Sequence, residues 1–158
     1  GRTGRILNLL HLVLHELLDL PVLYLSRYIV RHKADYYRGL QAVREHGAWE
    51  AWVLYMLHAV EETSRETLTK VRGIRDLMQE TKQRLRVELP KLYSQDLLSN
   101  LFRHPYTKID FIERDLGVSR PTATKYLGAL EESGFVRKTR LGRTNFYVND
   151  PLFRLLGR

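Results

Sequence analysis

The chain has 158 residues, 26 Lys and Arg against 18 Asp and Glu, a formal charge of +8, and no Cys. At 44% apolar and 28% charged, this is the composition of a folded protein, not of a disordered tail or a collagen-like repeat. The absence of Cys removes a disulfide framework, a thiolate metal site and a cysteine nucleophile; a reducing compartment, the cytoplasm, is the expected location.

The length suits one medium domain or two small ones. The chain opens GRTGR rather than with Met, so a processed start or a piece of something longer is expected. Ile6 to Leu25 is the most apolar stretch, but Asn8, His11, His15, Glu16, Asp19 and Pro21 interrupt it. A spanning helix needs about 20 mainly apolar residues, so a soluble protein without a membrane partner is expected.

From Arg5 to Leu20 apolar residues fall on nearly every face, which predicts a helix buried inside a bundle and ended by Pro21. A second helical run is expected from Leu25 to Glu45, with His46-Gly47 as its stop. Trp49 and Trp52 read as core anchors at the start of the next helix. Val53, Met56, Leu57 and Val60 continue that pattern. Leu68 to Leu89 then reads as a long charge-rich stretch, one helix with a weak point at Gly73 or two helices. Glu61, Glu62 and the alternating charges beyond them read as a solvated face.

The grammar changes between Pro90 and Ser94. Three short helices are predicted, Gln95 to Arg103, Lys108 to Leu116, and Ser119 to Ser133-Gly134. FVRKTR and TNFYV then flank Leu141-Gly142-Arg143 as a hairpin. Helix, helix, turn, helix and two-stranded wing is the winged helix-turn-helix order. The fold class is therefore mainly α, with a helical domain over residues 1–90 and a winged helix-turn-helix domain over residues 91–158.

In the C-terminal domain Ser119 is placed to cap a helix whose Ala123, Leu127 and Leu130 face the core. The opposite side shows Thr122, Thr124 and Lys125, with Arg120 at the N-terminal end, the polar face a recognition helix lays in a major groove. Arg137, Lys138, Arg140 and Arg143 place four cations within seven residues of the wing, suited to a phosphate backbone. The basicity is nonetheless shared: Ser94 to Arg158 holds 11 basic and 7 acidic residues, and the first 93 residues hold 15 and 11. A partner-docking role for the winged helix therefore stands beside contact with duplex DNA.

At the other end, Gly1 and Gly4 allow close backbone approach, and Arg2 and Arg5 flank the start of a helix, together an anion site. Five residues of Gly and Arg are equally the composition of a frayed terminus. His11 and His15 stand at i, i+4, but no third metal ligand accompanies them, and packing or surface roles are expected. No catalytic or metal-binding residue is assigned to the chain.

GRTGRILNLLHLVL resembles the tail of the Fic-family signature, His-x-Phe-x-Asp/Glu-Gly-Asn-Gly-Arg-x-x-Arg, followed by its apolar helix. The similarity continues through LYLSRYIVRHKADYYRGLQAVREHGAWEAWVLYMLHAVEETS and into a C-terminal winged helix found in bacterial Fic proteins. The resemblance implies a parent that transfers AMP from ATP, with Mg²⁺, to a hydroxyl side chain of a target protein. In that family the motif histidine is general base, the acidic residue holds metal, and the glycines and arginines hold phosphates.

Only Gly1, Arg2, Gly4 and Arg5 carry over as nucleotide-binding positions, with Tyr36 and Tyr37 near where relatives approach the base. Where the family has an inhibitory glutamate, Arg5 is its implied partner. The histidine and the metal-binding acid are missing from the sequence, so the chain alone is expected to be inactive and to hold neither ATP nor Mg²⁺ tightly. A parent gene reading His-Pro-Phe-x-Asp-Gly-Asn directly before Gly1 upholds the enzyme expectation, and a parent whose own start lies at or near Gly1 sinks it. The competing expectation is a winged-helix DNA-binding regulator whose helical region serves dimerisation, as a homodimer, or ligand sensing.

Overall fold

A computed structural model describes residues 2–18 and 23–157, and the side chains of Arg2, Arg5 and Asn8 fall outside that description. The chain is mainly helical and divides into two compact units, residues 1–69 and 70–158. No helix among the described residues is long and apolar enough to cross a membrane.

The first unit holds helices α1 (Arg2–Leu14), α2 (Leu25–Arg31), α3 (Lys33–His46) and the beginning of α4 (Trp49–Glu88). Helix α1 stops before Pro21, which lies outside the described residues: Leu17 and Leu18 N–H donate to the Leu12 carbonyl around Glu16, whose φ is +56°. The expected second run is broken at His32, so it forms two helices instead of one. Gly47 closes α3 where the sequence places the stop. Leu23, Leu25, Tyr28 and Ala59 form a small buried core, with Leu9, Leu12, Tyr55 and Val60 against it.

Two expectations for this unit are corrected. Helix α1 is not buried all round: Ile6, Leu7 and Leu10 are more than half exposed, and Leu14 is 78% exposed. Trp49 is not a core anchor either, being 63% exposed. Trp52 does pack, its ring stacked on Tyr55 at 5.6 Å between centroids and edge-on to Tyr36 at 5.2 Å.

The second unit begins within α4, which is one continuous helix through Gly73. It continues with α5 (Gln95–Arg103), β1 (Tyr106–Thr107), α6 (Ile109–Leu116), α7 (Arg120–Glu132), β2 (Arg137–Leu141), β3 (Thr144–Val148) and α8 (Asp150–Gly157). The three strands form an antiparallel sheet in the order β1-β3-β2, with Tyr106 opposite Val148 and Thr139 opposite Phe146. Leu85, Leu97, Leu98, Ile112, Leu127 and Leu130 build one fully shielded core between the helices and the sheet.

Local chemistry sets the ends of these elements. The Ser94 hydroxyl accepts from the Leu97 N–H at 3.1 Å and caps α5, and Gly117 ends α6. The hairpin turns at Gly142-Arg143: Gly142 has φ +61°, a conformation an L side chain rarely takes, while Arg143 has negative φ. That sign pattern belongs to a type II′ turn, whose twist matches the strands it joins. A buried polar chain ties α5, β1 and α6 together. Thr107 Oγ1 lies 2.6 Å from Asn100 Oδ1, and the Asn100 amide donates to Asp115 at 2.8 Å. Among the described residues no buried side-chain nitrogen or oxygen is left without a partner.

Candidate functional site

Helix α7 places its two faces as the sequence predicts. Ala123, Leu127 and Leu130 are fully buried, and Arg120, Thr124 and Lys125 are exposed. Ser119 stands at the N-cap, but its hydroxyl is 3.0 Å from the Thr122 hydroxyl and caps no backbone N–H. Thr124 turns its hydroxyl back to the Arg120 carbonyl at 2.9 Å, and Arg120 pairs with Glu113 at 3.3 Å. Lys125 has no hydrogen bond or ion pair among the described residues.

The four hairpin cations are not equivalent. Arg137 is committed to Asp150, with its Nε and NH2 2.7 and 2.8 Å from the two carboxylate oxygens, and it also donates to the Thr139 hydroxyl. That hydrogen-bonded guanidinium holds the Asp150 carboxyl below the ordinary carboxylate range, against the opposing effect of burial. The Lys138 ammonium lies 6.0 Å from the Tyr147 ring centroid, and Arg140 Nε donates to the Gly142 carbonyl at 3.3 Å. Arg143, in the turn, is exposed and makes no ion pair among the described residues.

Arg143 and Arg120 meet at a cleft of about 370 Å³ between the hairpin turn and the starts of α6 and α7. Lys108, just before α6, is the third cation of its wall, and Asp110 is the one acid. Lys108 also lies over the Phe146 ring, 4.6 Å from its centroid. Sequence reasoning missed Lys108 because it stands alone in the chain. It joins Arg120 and Arg143 only when α6, α7 and the hairpin pack. The available signal was its position as the residue before a helix, where the chain turns.

At the N-terminal end, Arg2, Thr3, Gly4 and Arg5 form the first turn of α1, whose backbone N–H groups have no intrahelical acceptor. Gly4 is exposed, and no atom lies within 4 Å of where a Cβ would stand. Gly1 lies outside the described residues, as do the side chains of Arg2 and Arg5. Tyr36 is half-buried, edge-on to Trp52, while the Tyr37 ring is 59% exposed. His11 and His15 approach to 4.2 Å between ring centroids. No group of three or more His, Asp or Glu able to hold a metal occurs among the described residues.

The geometry defines a class first: a mainly helical protein whose second unit packs short helices under a small sheet with a basic hairpin. Residues 77–152 match the family described as Protein adenylyltransferase SoFic-like, C-terminal domain. That match lies wholly within the second unit, which is thus similar to the C-terminal domain of SoFic-like protein adenylyltransferases.

Proposed function

We propose that the chain serves a Fic-type protein adenylyltransferase, which transfers AMP from ATP to a hydroxyl side chain of a target protein. The family match over residues 77–152 carries this reading. In it the target hydroxyl oxygen bonds to the α-phosphorus and pyrophosphate leaves, the proton passing to the motif histidine, which this chain does not contain. ATP supplies the AMP group. The chain's own part is to hold phosphate at Gly1, Arg2, Gly4 and Arg5, where the open space at Gly4 and the free N–H groups of the α1 first turn suit an anion. The exposed face of Tyr37 suits a stacked adenine better than does Tyr36, which already packs on Trp52. With no acid or histidine cluster among the described residues to hold Mg²⁺, no metal ligand is assigned to them.

The exposed apolar surface of α1 supports the same reading. Ile6, Leu7, Leu10 and Leu14 suit packing against further helices of a larger helical domain. The test uses a full-length parent that carries the motif, α-labelled ATP and an autoradiograph of proteins receiving AMP. Arg5→Ala is expected to lower transfer at least tenfold, while the 158-residue chain alone transfers none. Unchanged transfer by Arg5→Ala overturns the assignment of the phosphate site to these residues, and label transferred by the chain alone overturns its inactivity.

A second reading, duplex DNA binding by the second unit as a winged helix, is favoured by the cleft where Lys108, Arg120 and Arg143 meet. Thr122, Thr124 and Lys125 then face the groove, and Lys138 and Arg140 meet phosphates. Arg137 contributes less, because Asp150 already neutralises it. Replacing Lys138, Arg140 and Arg143 with Ala is expected to weaken duplex binding and lower the slope of log K against log salt by about one per lost contact. An unchanged slope, or no duplex affinity near 50 mM salt, removes the reading.

A further inference from the structure

A second groove runs beside α7 and shares Thr122 and Lys125 with the duplex reading. The segment from Glu88 to Leu92 passes beside Thr122, Lys125, Tyr126 and Ala129 and encloses about 640 Å³ with them. Leu89, Leu92 and Tyr126 each rest partly against the buried core, so the groove floor is continuous with the packed interior. The volume falls within the range of about 300–1,000 Å³ usual for sites that take small molecules.

Charge selects the occupant. Two ammonium groups, Lys91 and Lys125, belong to the groove wall, and neither makes an ion pair or hydrogen bond among the described residues. The wall's one acid, Glu88, is already neutralised by Arg84, whose Nε and NH2 lie 2.9 and 3.3 Å from its two oxygens. An apolar floor with two unspent cations and a spent carboxylate favours a ligand that is greasy at one end and anionic at the other. A second copy of this chain, with formal charge +8, brings the wrong sign to such a site.

We propose that this groove binds an apolar organic anion of the carboxylate class. Its charged group lies between Lys91 and Lys125, and its hydrocarbon body lies on Leu89, Leu92, Tyr126 and Ala129. Ala129 is where the body is accommodated, because a larger side chain there fills the groove. Thr122 and the Lys125 stem are the points at which the ligand touches the polar face of α7, so its binding alters what that helix presents.

The test is an amide ¹H–¹⁵N titration of the full chain with 4-phenylbutyrate and, in parallel, its uncharged analogue 4-phenyl-1-butanol. The acid is expected to shift Leu89, Lys91, Lys125 and Ala129 and to bind at least tenfold more tightly than the alcohol. Lys91→Glu with Lys125→Glu is expected to weaken the acid at least tenfold and leave the alcohol alone. Arg72→Glu, one such charge reversal at an exposed position of the unit, is expected to change neither. Ala129→Trp is expected to abolish both, with an unchanged spectrum elsewhere; if it unfolds the unit, the lysine pair carries the test. Equal affinity for acid and alcohol, shifts confined to the exposed apolar face of α1, or an equal loss from Arg72→Glu each overturn the proposal.

Discussion

In the second unit Leu85, Leu97, Ile112, Leu127 and Leu130 are almost completely shielded, whereas in the first Leu7, Leu10, Leu14, Leu54 and Leu57 stand more than half exposed. The same residue type thus does two jobs in one chain. In the second unit the leucines close a core that includes its own short sheet, and the buried polar groups beside them are all partnered. In the first they leave an apolar exterior around a core of Leu23, Leu25, Tyr28 and Ala59. Hydrophobicity in a sequence states how much apolar surface there is to cover, and the fold decides how much of it is covered.

The sharpest way to break this contrast is a pair of equal truncations on the same helix. Leu85→Ala removes a fully buried side chain from α4 and is expected to cost about 2–5 kcal/mol in the urea unfolding of the second unit. Leu54→Ala on the same helix, 58% exposed, is expected to stay within about 0.5 kcal/mol. Similar losses from the two would mean that the first unit is as well packed as the second.

The polar network gives the next largest effect. Asp115 accepts from Asn100, Arg103 and Arg114 at 2.8–2.9 Å, and the Arg114 hydrogen bond, above all, holds its carboxyl below the ordinary range. Asp115→Ala leaves the buried Asn100 amide without its acceptor and is expected to destabilise the second unit by about 1–3 kcal/mol. A carboxyl depressed on folding stabilises fully above its unfolded pKa, about 3.9, and loses that contribution as pH falls through the lower folded value. Asp150, held low by Arg137, acts in the same direction. Urea midpoints at pH 7 and pH 3 are therefore expected to differ less in Asp115→Ala than in the parent chain.

The smallest effects separate a tight spot from a tolerant one. A Cβ at Gly39 would meet a Trp52 ring carbon at 2.8 Å, and a ring cannot fold aside. Gly39→Ala is expected to lose about 1 kcal/mol net, overpacking exceeding the helix-propensity gain. At Gly73 the nearest atom is a Leu155 methyl at 3.0 Å, the end of a mobile side chain. Gly73→Ala is expected to be neutral or to gain up to about 1 kcal/mol, read from the thermal midpoint.

Much of this architecture was legible in residue order. The period of Ala123, Leu127 and Leu130 gave the inner face of α7, and two β-rich runs around Gly142 gave the hairpin. The two-residue strand β1 was not legible, because Tyr106 and Thr107 are a strand only by pairing with Tyr147 and Val148. Helix α8 was missed as well, although Asn149 before Asp150-Pro151 offered a start signal; Asn149 caps it by accepting from Leu152 N–H. The exposure of α1 was misread because an all-round apolar pattern reports composition, not contact. Among the proposed binding residues, linear clustering found the hairpin cations but not Lys108, and it could not show that Arg137 was already spent.

The hairpin turn carries one more consequence, in chirality. Gly142 holds a backbone conformation that is the mirror image of the one its L-configured neighbours prefer. A semisynthetic chain with a D-amino acid at position 142 keeps that turn without strain and has fewer unfolded states to lose. The L-isomer of the same residue strains it. One achiral residue is thus where this all-L chain borrows the opposite hand.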